Sequence, residues 1–99
     1  MAGTAISSGL KTAGTYQITT GRGVISGLHA ISDGTNIATV IAYDNAAGDT
    51  SGTVLGKVNG STVTGSNGVI FTTPIRHEFG ITIVVSGTGN PQGMAYYGA

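Results

Sequence analysis

The chain has 99 residues, 18 of them glycine and none cysteine, and its four acidic and four basic side chains give a formal net charge of zero. That length holds one domain with one modest core, and the missing cysteines exclude both a disulfide scaffold and a cysteine-based metal site. Lys11, Arg22, Lys57 and Arg76 are scattered, which excludes the basic footprint of a nucleic-acid binder, and no window approaches the roughly 18 apolar residues of a membrane span.

Residues 1–14, with Gly3, Ser7, Ser8, Gly9 and Gly14, lack sustained periodicity and are expected to form an N-terminal arm. Ala5, Ile6 and Leu10 are its expected anchors on a neighbouring subunit. It has no basic stretch followed by a long apolar one, so no standard export signal is expected. A single domain is expected over 15–99, and there the period is two. Tyr16, Ile18 and Thr20 alternate with Thr15, Gln17 and Thr19, a half-buried strand. After Gly21-Arg22-Gly23, the run Val24 to Ile31 sets Ile25, Gly27, His29 and Ile31 on one face and Val24, Ser26, Leu28 and Ala30 on the other. Asp33-Gly34 marks a turn, and Ile37, Thr39, Ile41 and Tyr43 alternate with Ala38, Val40 and Ala42 in a central strand.

The stretch Asn45 to Gly52 reads as a loop, and Val54 to Val58 as the next strand. Asn59-Gly60 predicts a type I′ hairpin returning through Ser61 to Thr64, and Asn67-Gly68 a second one before Val69 to Thr72. Pro74 has no amide donor, so Thr73 to Phe79 is expected to be an irregular or edge connection. Ile81, Ile83 and Val85 alternate with Thr82, Val84 and Ser86 in a second core strand, and after a turn over Gly87 to Gln92 the chain ends in a strand over Met94 to Tyr97. The fold predicted is all-β: an antiparallel, jelly-roll-like β-sandwich of about eight short strands.

No catalytic set emerges from these residues. His77-Glu78 lacks the second histidine of H-E-x-x-H, since position 81 is Ile81, and adjacent side chains on a strand face opposite ways. Asp44, Asn45 and Asp49 are oxygen-bearing, but Ala46 and Gly48 fall where an EF-hand needs ligands, so Asp44 is expected to bond its own backbone and start a turn. Gly52-Thr53-Val54-Leu55-Gly56-Lys57 has three residues between its glycines where a phosphate loop has four, and Val58 follows where it has Ser or Thr. His29 is expected to be buried against a backbone partner or a subunit contact. No catalytic, cofactor-binding or metal-binding residues are therefore expected. Tyr96 and Tyr97 are expected to cap the core and a subunit contact; a sugar platform with Tyr16 is the alternative.

Surface character carries more. Charged residues make up 8% of the chain, against about one quarter in a typical soluble domain, so Thr, Ser, Asn and backbone amides must wet the surface. With no net charge, little long-range force opposes contact between copies. This predicts an assembly part rather than an enzyme.

In order along the chain come Gly23-Val24-Ile25-Ser26-Gly27-Leu28, then Asp33-Gly34-Thr35-Asn36 and a strand ending Ala42-Tyr43-Asp44-Asn45, then Gly52-Thr53-Val54-Leu55, and then Pro74 ahead of Phe79-Gly80-Ile81 and the run to Gly87, with Tyr96-Tyr97 at the end. This order, over most of residues 15–98, resembles a group of small tailed-bacteriophage virion proteins. The resemblance implies a β-sandwich on the capsid surface of a virion, made in the bacterial host cytoplasm, acting as a decoration (cement) protein that bridges major capsid protein subunits. The resemblance does not separate that role from a neck, tail or fibre-associated one, and the competing reading is a carbohydrate-binding module on an appendage, contacting sugars through Tyr16, Tyr96 and Tyr97. The partner implied is the major capsid protein or another virion protein. Self-association as a homotrimer is expected, burying the face with Val24 and Leu28, and neither nucleic acid, membrane nor cofactor is expected as a partner.

Overall fold

The computed structural model describes residues 6–60 and 66–98. Within them the chain forms β1 (Ile6–Ser7), β2 (Gly14–Thr20), β3 (Gly23–Ile31), β4 (Ala38–Asp44), β5 (Thr53–Gly60), β6 (Ser66–His77), β7 (Gly80–Ser86) and β8 (Gln92–Gly98). One sheet has the order β1-β8-β3-β6 and the other β2-β7-β4-β5, and every pairing is antiparallel. Successive strands alternate between the sheets except β4 and β5, which pair with each other in the second sheet, the jelly-roll arrangement of a sandwich.

The alternation read in the sequence decides which side chains meet between the sheets. Ala38, Val40 and Ala42 of β4 and Ile81, Ile83 and Val85 of β7 fill the centre, joined by Leu55 and Val58 of β5, Ile25, Leu28 and Ala30 of β3, and Ala95 of β8. Tyr16, Ile18, Val69, Phe71 and Tyr97 close its margins. Full burial of each Val, Leu or Ile stabilises by about 1.5–3 kcal/mol, so an aliphatic core of this kind holds the domain without disulfides.

Four departures from simple alternation shape one half of the molecule. β3 carries an extra residue at Ser26, between Ile25 paired with Tyr97 and Gly27 paired with Tyr96. That bulge switches the phase of the strand, so Ile25 faces inward together with Leu28 and Ala30, and the expected face joining Ile25 to His29 and Ile31 does not exist. Ile18 is the extra residue of β2 and Leu55 that of β5. Opposite Ser26, residues 71–74 of β6 bow away from the ladder, and Pro74 sits in this irregular stretch of an edge strand, where a missing amide donor costs nothing.

Both predicted hairpin turns are corrected. Asn59 and Gly60 belong to β5, paired with Thr39 and Ala38, and Asn67 and Gly68 belong to β6, paired with Ala30 and His29. Neither glycine has the positive φ that a type I′ turn demands. Gly60 answers to a close approach instead: a Cβ there would stand 2.9 Å from the Ala30 carbonyl of the opposite sheet. The strand expected over 61–64 lies outside the described residues. β1 is the additional strand, drawn from the segment expected to be an arm. It pairs with β8, and beyond it Ser8 and Lys11 bond the backbone of Ala95 and Gly93.

Candidate functional site

The chain's irregular half ends in three connections that meet: the β2–β3 turn at Gly21-Arg22, the β4–β5 loop over 45–52 and the β6–β7 turn at Glu78-Phe79. Arg22, Asp44, Asp49, Arg76 and Glu78 all stand here, five of the chain's eight charged residues. Asp44, the last residue of β4, points across to the β6–β7 turn and accepts from the backbone N–H groups of Glu78 (3.0 Å), Phe79 (2.9 Å) and Gly80 (3.3 Å). This corrects the expectation that Asp44 bonds its own backbone. Partial burial pushes its carboxyl up, but the three N–H donors and the neighbouring His77 outweigh that and hold it below the ordinary carboxylate value.

Asn45 takes the turn-starting role. Its Oδ1 accepts from the N–H groups of Ala47 and Gly48, at 3.2 Å each, and from the buried Thr82 hydroxyl at 2.7 Å. Its Nδ2 donates to the carbonyls of Asp49 (2.7 Å) and Ser51 (2.6 Å). Buried and fully engaged, this amide fixes the whole 45–52 loop. The Gln17 amide fills the β2 bulge, donating to the carbonyls of Thr19, Asn45 and Ile81. Phe79 is clamped from both sides, since its carbonyl accepts from Gly21 N–H at 2.8 Å, and Arg22 pairs with Glu78 at 3.2 Å alongside.

His77 is 1% exposed, while adjacent Glu78, in the β6–β7 turn, is exposed. The His77 Nδ1 lies 2.9 Å from the Gly21 carbonyl; a carbonyl only accepts, so this nitrogen carries the proton. Its buried Nε2 has no hydrogen-bond partner among the described residues, and the same holds for Nε2 of half-buried His29. The backbone partner expected for His29 is thus not found at that nitrogen. Its ring stands over Gly68, where a Cβ would be 3.2 Å from Nδ1. The two histidines lie at separate points, and among the described residues no group of three His, Cys, Asp or Glu is placed to hold a metal ion.

The opposite end is polar and self-contained. Asp33 accepts from the N–H groups of Thr35 (2.9 Å), Asn36 (2.8 Å) and Asn90 (3.2 Å), and from the Asn36 side chain. These donors hold its carboxyl well below the ordinary range. Ser32 bridges Gly34 N–H and the Asn36 carbonyl. A groove of about 520 Å³ runs past Thr12, Asp33 and Asn90, but the carboxylate in its wall is already saturated.

The expected contact residues part company. Ile6 and Leu10 remain 53% and 46% exposed, along the β8 edge of the first sheet. Ala5 lies outside the described residues. Val24 stays on the outer face of that sheet, opposite Arg76 and Gly98. Leu28 is corrected: it is fully buried in the core, because the Ser26 bulge turns it inward, and it has no surface to offer a partner. Tyr97 packs against the core, and its neighbour Tyr96 therefore faces outward. Tyr16 closes the core margin from the other sheet, with the Lys11 ammonium 5.5 Å from its ring centre. The three tyrosines do not share a face. Sequence reasoning missed Gln17 and Phe79; for Phe79 the signal was a large apolar residue between two turn-forming positions. Compared with family models, with curated proteins and with solved structures, the chain matches none of them.

Proposed function

We propose that the chain is a non-enzymatic structural protein of a tailed-bacteriophage virion, a capsid decoration protein that stabilises the head by bridging major capsid protein subunits. The observation that carries this reading is where its polar side chains are used. Gln17, Asp33, Asp44, Asn45 and Asp49 all bond backbone groups of their own chain, which commits these polar groups to stiffening turns. Such a domain offers shape and contact area. The ordered run of motifs from Gly23 to Tyr97 supports the virion assignment, and jelly rolls serve in capsid and lectin domains alike.

In this role a modest interface gains from repetition, since many copies around a shell multiply a small contact free energy. Of the expected contact set, Ile6 and Leu10 are exposed and Val24 and Tyr96 half-buried, and all four belong to the first sheet and its edge. Antibodies raised against the purified chain, applied to tailed particles made by the source of the gene and viewed by immunogold microscopy, test the reading. Regular labelling of heads is the expected result. Labelling confined to necks, tails or fibres transfers the role to those parts, and unlabelled particles overturn it.

A further inference from the structure

Residues 6–11 run along the outer edge of β8 and give the first sheet its last strand. Ile6 pairs with Tyr97 and Ser7 with Tyr96, the ladder breaks at Ser8-Gly9-Leu10, and it resumes as a single bridge from Lys11 to Gly93. Both large apolar side chains of the segment, Ile6 and Leu10, remain exposed. With few bonds and little buried apolar area, the segment belongs to the low-stability end of the fold, where local opening costs least.

The break in the ladder is specific to this sequence. A regular strand would meet the Ala95 N–H with a backbone carbonyl, whereas here the chain turns off at Gly9, whose φ is +79°, and a hydroxyl stands in. Ser8 donates its N–H to the Ala95 carbonyl and accepts the Ala95 N–H on Oγ, each at 2.9 Å. The Ser8 hydroxyl in turn donates to the Gly9 carbonyl at 3.0 Å, and Ser7 Oγ accepts from Gly9 N–H at 3.1 Å. These local bonds shape Ser7-Ser8-Gly9 into a hook that is carried by the segment itself, so the hook suits the β8 edge of any copy of this chain. Release of the segment strips Ala95 of both partners and leaves β8 as an open edge, a template for another strand. Between the segment and β2, in the opposite sheet, Thr12 and Ala13 are exposed, held only by contacts of Thr12 Oγ1 and the Ala13 carbonyl with the Tyr16 hydroxyl at 3.2 and 3.4 Å.

We infer that copies of this chain exchange residues 6–11, the segment of one copy lying along β8 of the next with Ile6 opposite Tyr97 and Ser7 opposite Tyr96. Exchange repeats bonds that the single chain already makes, which is why it is a low-cost route to association, and the zero net charge leaves no long-range repulsion against it. Because no bond is gained, concentration sets the balance, and exchange prevails above the effective concentration of a short tethered segment, on the order of 1 mM. The contact does not depend on the virion role, and unlabelled particles would leave it standing.

The chain has no cysteine, so single introduced thiols report the contact. Ser7→Cys and Tyr96→Cys are made in separate chains, so that residues 7 and 96 can be joined only between copies. Mixed at ~1 mM, oxidised with diamide and digested with trypsin, they should give the 1–11 peptide joined to the 77–99 peptide. The expected yield is a several-fold excess over the link that Ser7→Cys forms with Thr53→Cys, an exposed position on the other sheet. Circular dichroism matching that of the parent chain shows that each variant is folded. Both substitutions placed in one chain and oxidised when dilute should close the same link internally, and failure to close overturns the register on which the inference rests. A link between copies no more frequent than the Thr53→Cys background overturns the exchange. Light scattering of the unsubstituted chain at the same concentration reads it without any variant: a mass above the monomer is expected, and a monomer overturns it.

Discussion

Asp33 and Asp44 stand at opposite ends of the sandwich, and hydrogen bonds hold both carboxyls below the ordinary carboxylate value. Asp33 draws most of its donors from Thr35 and Asn36, two and three residues along. Asp44 draws its backbone donors from Glu78, Phe79 and Gly80, 34 to 36 residues away. The same chemistry thus makes a local turn at one end and a long-range clamp at the other. A local turn can form before the sheets meet, whereas the clamp exists only once β4, β6 and β7 are in register. That is why the irregular strands, the buried amide and the exposed Phe79 gather at the Asp44 end.

The comparison breaks most sharply at Gly80. Its φ is +153°, and a Cβ there would stand 2.4 Å from the Thr19 carbonyl oxygen and 2.8 Å from that of Asn45. Gly80→Ala is expected to cost about 3 kcal/mol or more, because backbone must move, and the urea midpoint reads it. Asn45→Ala follows at about 2–4 kcal/mol, since the Thr82 hydroxyl and the N–H groups of Ala47 and Gly48 lose their acceptor. Limited proteolysis should then cut within 45–52 first, while an intact loop would show that the amide does not hold it.

Asp44→Ala comes next, at about 1–3 kcal/mol for leaving the turn's N–H groups without their acceptor. Its acid response sharpens the contrast. A carboxyl whose folded value is depressed contributes stability that is present above its unfolded value, about 3.9, and lost as pH falls through the folded value. Urea midpoints measured from pH 6 down to pH 2 should therefore decline below about pH 4, and Asp44→Asn should flatten part of that decline. An unchanged acid limb would remove Asp44 from the account. Asp33→Ala is expected to have the smallest effect, a melting midpoint shift less than half that of Asp44→Ala, because its donors are exposed to water that replaces the carboxylate.

Legibility followed the same divide. The alternation of Ala38 to Tyr43 and Ile81 to Ser86 was readable because successive side chains on a strand point to opposite faces, and these strands became β4 and β7; Tyr16 to Thr20 was readable as the strand β2, but the Ile18 bulge breaks its alternation and sets Thr19 rather than Thr20 opposite Ile81. The run over Val24 to Ile31 was readable as a strand but not in its faces, since the Ser26 bulge arises only where β3 meets β6 and β8. Asn59-Gly60 carried a turn signal, but the glycine serves the close approach to Ala30 on the opposite sheet. Nothing in the neighbours of Asp44 announced that its donors were Glu78, Phe79 and Gly80.

By itself, then, the sequence determined an all-β chain, its alternating strands, its nearly uncharged surface and its Asp33 turn, all properties settled within two or three residues of chain or by composition. Only the tertiary structure decided the strand order, the inward turn of Leu28 and the clamp that Asp44 closes on the Phe79 turn. The physical reason is range: a period-two pattern needs only adjacent peptide units, whereas register, bulges and the Asp44 contacts need segments more than thirty residues apart to be closed against each other before any of their bonds can form.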